Sequence, residues 1–150
     1  MLLNEVFDKK LIKIDLESRT KKEAFLELIK TIKAVYPKLD RKEMLEAIQK
    51  REDKMNTAMA CSSVAVPHGY YSKIRDIIGA IGVSQAGIDY DAPDHKPVHL
   101  VFLILMGKSS AEEHLLVLKR ILTLVSSGLL TSPWKAASPQ EVYDILSRFH

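Results

Sequence analysis

The run Val98–Met106 constrains this chain more than any other stretch: nine residues, apolar everywhere except His99. That continuity fits a strand covered on both faces, because a strand wet on one side alternates apolar and polar residues. A sheet built on such a strand needs helices above and below it, and four capped segments supply them. Thr20-Lys21-Lys22-Glu23 fits a capping box, followed by Ala24, Leu28, Ile29, Ile32 and Val35 at helical spacing; Tyr36-Pro37 ends that helix. Asp40 opens a second helix that carries Met44, Leu45, Ala47 and Ile48 and closes near Lys50. Ser110 opens a third, whose apolar stripe Leu115, Leu118, Ile121, Leu122 and Val125 runs to Gly128. Ser138 opens the last, with Pro139 at the first helical position, where its missing N–H costs nothing. Strand-like runs lie between: an alternating Leu11–Leu16, a short Ser63–Val66, and Ile77–Val83 with two glycines. Helices and strands interleave, so the expectation is an α/β fold with helices on both faces of a sheet, in one domain over residues 1–150.

Composition narrows the function. With 47% hydrophobic and 27% charged residues, the chain has the balance of an ordinary globular protein. No apolar run reaches the roughly 18 residues of a membrane span, and the start Met1-Leu2-Leu3-Asn4-Glu5 lacks the basic opening of a secretory signal. A single cysteine, Cys61, excludes an internal disulfide framework and fits a reducing cytoplasm. Net charge is +3, with lysines scattered rather than gathered beside aromatics, so nucleic acid is not an expected partner.

Chemistry concentrates in Val64-Ala65-Val66-Pro67-His68-Gly69. Proline stiffens the entry into His68 and biases Val66 toward extended backbone. Gly69 permits close approach of another group. An imidazole presented at a strand end in this way suits a nucleophile or a ligand, while its bland alternative is a turn that happens to contain a histidine. His114 stands one turn into the third helix, on the inward stripe with Leu118 and Ile121. Alone it reads as a core histidine, but its helix begins just after the central strand, at the edge where α/β folds gather ligands. Arg51, at the end of the second helix, either complements the helix dipole or offers a forked donor to a phosphoryl group. Thr57, Ser62 and Ser63 add hydroxyls to the connection that follows. Two imidazoles and an arginine suit phosphoryl transfer through phosphohistidine, which requires no metal or organic cofactor.

Other arrangements carry less. His95 and His99 have metal-ligand spacing, but four residues of extended chain span about 13 Å, too far to share one ion directly. Cys61 has no geometric reason to pair with His68. Neither G-x-x-x-x-G-K-[ST] nor G-x-G-x-x-G is present, so nucleotide binding has no motif.

The assembled pattern resembles the enzyme IIA domains of the bacterial phosphotransferase system, of the fructose, mannitol and nitrogen-regulatory type. The resemblance covers nearly the whole chain. It rests on Lys50-Arg51-Glu52, Val64 to Gly69, Gly87-Ile88-Asp89-Tyr90-Asp91-Ala92-Pro93-Asp94, the strand Leu100 to Leu105, and His114-Leu115-x-x-Leu118. It implies a mixed β-sheet flanked by helices, with His68 as the phosphorylated histidine. His114 would orient or stabilise the phosphoryl group, and Arg51 would match the active-site arginine. The implied donor is the histidine phosphocarrier protein. The implied acceptor is a cysteine on a separate enzyme IIB chain, or a regulatory target that reads phosphorylation state. One departure stands out: where the family carries glycines between its threonine and I-A-I-P-H, this chain has the slightly longer Ala58-Met59-Ala60-Cys61-Ser62-Ser63. Alanine and serine resist backbone conformations that glycine accepts, so the expectation is a reshaped phosphate-binding loop. The competing reading is a non-catalytic binding module of the same fold. Tyr70 is a further departure, standing where lysine, arginine or threonine is commoner.

Overall fold

The computed structural model describes residues 1–59, 62–128 and 138–149. In chain order the elements are α1 (Leu3–Val6), a 3-10 turn (Lys9–Leu11), β1 (Ile12–Lys13), α2 (Lys21–Val35), α3 (Arg41–Glu52), β2 (Ala58–Met59), β3 (Val64–Ala65), β4 (His68–Tyr70), β5 (Ile77–Ile88), β6 (Val98–Met106), α4 (Ala111–Ser127) and α5 (Pro139–Arg148). The strands form one mixed sheet in the order β1-β5-β6-β3-β2, with β4 also paired to β6.

As the apolar run predicts, β6 is central and covered on both sides. Leu100, Phe102, Ile104 and Met106 pack into one core with Val6 and Phe7 from the α1 end, Val117 and Ile121 of α4, and Leu146 of α5. Val101, Leu103 and Leu105 point the other way, into a core with Phe25, Leu28 and Ile32 of α2 and Met44 and Ile48 of α3. The period-two alternation of a strand divides one apolar run between two cores. The four predicted caps all form: Thr20, Asp40, Ser110 and Ser138 each accept a backbone N–H three residues on. Gly128 closes α4 in the left-handed conformation, φ 82°.

Pairing partners move some boundaries. Of the alternating Leu11–Leu16, Ile12 and Lys13 form the strand, and Leu11 is taken into a 3-10 turn that the Asp8 side chain opens by accepting the Lys10 N–H at 2.9 Å. Conversely, β5 continues past Val83 through polar residues to Ile88, across a register shift, because β6 offers a partner as far as Val98. The segment after Val66 is not a bare turn. Val64 and Ala65 pair with Leu100 and Val101, and His68 to Tyr70 resume parallel pairing opposite Ile104 to Met106. Between them Pro67 has no N–H to donate, but its carbonyl accepts from Ile104 N at 2.9 Å and keeps the edge in register.

Candidate functional site

His68 begins β4 with its ring half-buried. Its Nδ1 lies 2.8 Å from the Val66 carbonyl oxygen. A carbonyl only accepts, so Nδ1 carries the proton and Nε2 keeps a bare lone pair. Burial is the main reason the His68 pKa lies below the ordinary 6.5. The Val66 bond opposes that shift, the Arg51 charge adds to it, and the Glu52 charge opposes it. The ring is therefore neutral at pH 7, the state in which Nε2 is a nucleophile.

Arg51 and His114 reach the same place from different elements. Arg51 sits in the last turn of α3, its Nη1 donating to the Met55 carbonyl at 3.1 Å. His114 lies in the first turn of α4, and its Nε2 donates to the Gly107 carbonyl at 3.1 Å, leaving Nδ1 as the ring's other polar atom. A cleft of about 390 Å³ is lined by both residues together with His68, Gly69, Tyr70 and Lys54. A smaller one, about 180 Å³, joins Arg51, Thr57 and His68 to an apolar wall of Leu118 and Leu122. The parallel pairing of β4 with β6 sets His68 opposite Ile104, close to where β6 gives way to α4, and so brings both imidazoles to one cleft. Its cations, with no acidic residue on the lining, suit an anionic group.

Gly69 is approached closely, as the sequence predicts, and the group that approaches is the backbone of α3. A Cβ there would fall 2.1 Å from the Ala47 carbonyl oxygen, so the glycine lets the α3 backbone press against β4. Arg51 is one helical turn beyond that contact.

In the stretch without glycines, Ala58 pairs antiparallel with Ala65 and Met59 with Val64. Ala60 and Cys61 lie outside the described residues. Ser62 is occupied locally: its hydroxyl donates to the Met59 carbonyl at 2.8 Å and accepts from Val64 N at 3.2 Å. Ser63 adopts φ 60°, a left-handed conformation that favours glycine, while its carbonyl accepts from His99 N and Leu100 N. Of the predicted hydroxyls, Thr57 lines a cleft with His68, and neither serine is among the residues lining the two clefts.

Sequence reasoning passed over Glu52, although it adjoins Arg51. Among the described residues it is the only buried charged side chain, 4% exposed. Its carboxylate accepts from Thr57 N at 2.9 Å, Thr57 Oγ1 at 2.6 Å, Tyr90 Oη at 3.1 Å and Lys21 Nζ at 3.3 Å. Helical periodicity already put Glu52 four residues beyond the core residue Ile48, the one signal that could have found it.

A mixed sheet flanked by helices, with a neutral imidazole, a second imidazole and an arginine lining one cleft, makes a site suited to an anionic group. The family described as "Phosphoenolpyruvate-dependent sugar phosphotransferase system, EIIA 2" matches residues 5–149, and the chain belongs to it. A nitrogen regulatory protein of Bradyrhizobium diazoefficiens is 30% identical over 133 residues, covering 88% of this chain and 86% of its own. The fructose-specific EIIABC component of Bacillus subtilis is 29% identical over 149 residues; the match covers 99% of this chain but 23% of that longer protein. The crystal structure of IIA-Ntr from Neisseria meningitidis superposes with a TM-score of 0.87 at 29% identity, covering 96% of this chain and 98% of its own. The mannitol IIA of Escherichia coli, in its complex with phosphorylated IIB, shares the fold: TM-score 0.75 at 18% identity over 94% of this chain and 98% of that one. Among the described residues no helix is long and apolar enough to cross a membrane.

Proposed function

We propose that this protein is a phosphoryl carrier that takes phosphate on His68 Nε2 from the histidine phosphocarrier protein. It then either passes the group to an enzyme IIB cysteine or holds it as a regulatory signal. One observation carries the reading: the Val66 carbonyl holds the proton on Nδ1 and so leaves the Nε2 lone pair free. Membership of the enzyme IIA family supports the phosphotransferase setting, and relatives of both fructose-specific and nitrogen-regulatory kinds leave transport and regulation as the two outlets.

The step balances without a cofactor. The Nε2 lone pair attacks phosphorus as the donor's N–P bond breaks, and the electron pair of that bond returns to the donor imidazole. The phosphorylated ring keeps its Nδ1 proton, still held by Val66, so no proton need leave. Arg51 neutralises phosphoryl oxygens with a guanidinium already oriented by Met55. His114 lines the same cleft, with Nε2 committed to Gly107 and Nδ1 as its remaining polar atom. When a thiolate attacks the phosphorus, the N–P electrons return to Nε2 and the starting tautomer is regenerated.

The test is incubation with phosphoenolpyruvate, enzyme I and the histidine phosphocarrier protein, followed by intact-mass spectrometry. The expected result is one acid-labile phosphoryl group on the wild type and none on His68→Ala. Undiminished labelling of the variant would refute the assignment to His68, and no labelling of the wild type beside a working control would leave a binding module of the same fold.

A further inference from the structure

Glu52 is half of an arrangement that ends at the nucleophile. Its carboxylate holds both polar groups of Thr57, the backbone N–H at 2.9 Å and the hydroxyl at 2.6 Å. The Thr57 carbonyl in turn accepts from Val66 N at 3.1 Å. The Val66 carbonyl is the group that holds His68 Nδ1. On the far side, the carboxylate is tied to the start of α2 by Lys21 and to the segment between β5 and β6 by Tyr90, whose hydroxyl also lies 2.8 Å from Thr57 Oγ1. The Lys21 ammonium lies 4.7 Å from the Tyr90 ring centroid, so three separate parts of the chain meet at one buried charge.

We infer that Glu52 is a positioning residue for the nucleophile: by clamping Thr57, whose carbonyl holds Val66 N, it fixes the backbone entering Val66, and the Val66 carbonyl, on the peptide stiffened by Pro67, then selects the His68 tautomer whose Nε2 can accept phosphate. The inference rests on the reading of His68 as the phosphoryl acceptor. Physically, a tautomer is set by what the opposite nitrogen bonds, and that carbonyl is useful only while its peptide stays in place. A buried carboxylate satisfied by four donors is a rigid anchor, and leaving those donors unpaired is costly, so the arrangement is held firmly. The anchor also offers a reason for placing a charge so close to a cleft that must attract anions. Its carboxylate is met by Lys21, two hydroxyls and the Thr57 N–H, and Glu52 is not among the residues lining either cleft.

The experiment compares wild type, Glu52→Ala, Glu52→Gln and Thr57→Val, each labelled with 15N-histidine. Long-range 1H–15N spectra above pH 7.5 report the tautomer, and kinetics with phosphorylated histidine phosphocarrier protein report kcat and KM. Wild-type His68 should show a protonated Nδ1 and a bare Nε2. In Glu52→Ala both nitrogen signals should move toward those of mixed tautomers, with kcat falling roughly tenfold or more and KM changing by less than about twofold. Glutamine can still accept from Thr57 N and donate to Thr57 Oγ1, so Glu52→Gln should restore the tautomer and most of kcat. A folded Glu52→Ala with the wild-type tautomer and kcat would overturn the inference, as would a rise confined to KM or a Glu52→Gln as impaired as alanine. If Glu52→Ala does not fold, Thr57→Val decides by the same signals. A wild type that takes no phosphate would refute the acceptor reading, whereas the nitrogen signals would still judge the role of Glu52.

Discussion

Replacing Gly69 with alanine tests whether the site depends on the pressing of α3 against β4. The new Cβ would stand 2.1 Å from the Ala47 carbonyl oxygen, 2.4 Å from its carbon and 2.9 Å from Ile48 N. Ordinary contact begins near 3.4 Å, so the helix and the strand must separate by about 1.3 Å, and the clashing atoms are backbone that cannot rotate away. Overpacking of this kind costs about 3 kcal/mol, the upper end of the usual range because no side chain can yield. In a chain of this size that lowers Tm by about 6–12 °C. Function should suffer as well, because α3 carries Arg51 and Glu52 while β4 carries His68, and the variant moves one set against the other. Thermal unfolding by circular dichroism reads the first effect. The rate of phosphoryl uptake at a temperature where both proteins are folded reads the second. A variant that melts within about 2 °C of wild type would refute the close contact between α3 and β4 as a source of the strain. Normal uptake in a clearly destabilised variant would separate the packing from the chemistry and refute the geometric argument.

The pH dependence follows from His68. Its folded pKa lies below 6.5 chiefly through burial, so uptake should persist below pH 6.5 and fall only at the lower folded pKa, read from the acid limb of kcat/KM. For stability the sign is the same: the unfolded chain binds the proton more readily, so the contribution of His68 is present above pH 6.5 and is lost as pH falls through the folded pKa. Arg51→Met removes the charge that adds to burial in depressing that pKa, so the acid limb should move to higher pH while uptake slows; an unmoved limb would exclude Arg51 from the electrostatics of the ring. Ser63→Gly relieves a left-handed residue worth about 1–2 kcal/mol of strain and adds about 0.5–1 kcal/mol of unfolded-state entropy, so a net gain of about 0.5–1 kcal/mol in chemical denaturation is expected. A loss of stability there would mean that the serine side chain contributes more than its backbone costs.

Periodicity and caps read directly from the chain because both are near-neighbour physics. Helix starts at Thr20, Asp40, Ser110 and Ser138, and the central place of Val98–Met106, follow from side chains within a few residues of one another, and the two-sided core follows from the alternation of one strand. His68, His114 and Arg51 were visible as chemistry-bearing types at strand and helix ends, and family resemblance added that they belong together. Their convergence was not a local matter. It needs β4 to resume pairing with β6 after Pro67, α4 to begin where β6 ends, and α3 to approach β4 within the space of a missing Cβ. The tautomer of His68, the engagement of Ser62 in a turn and the clamp formed by Glu52, Thr57, Tyr90 and Lys21 were likewise decided in three dimensions. Glu52 and Tyr90 are 38 residues apart, and nothing in the chemistry of either alone says that it will meet the other. A hydrogen bond depends on distance and direction within a few tenths of an ångström, and only the packing of the two cores against the sheet sets those quantities.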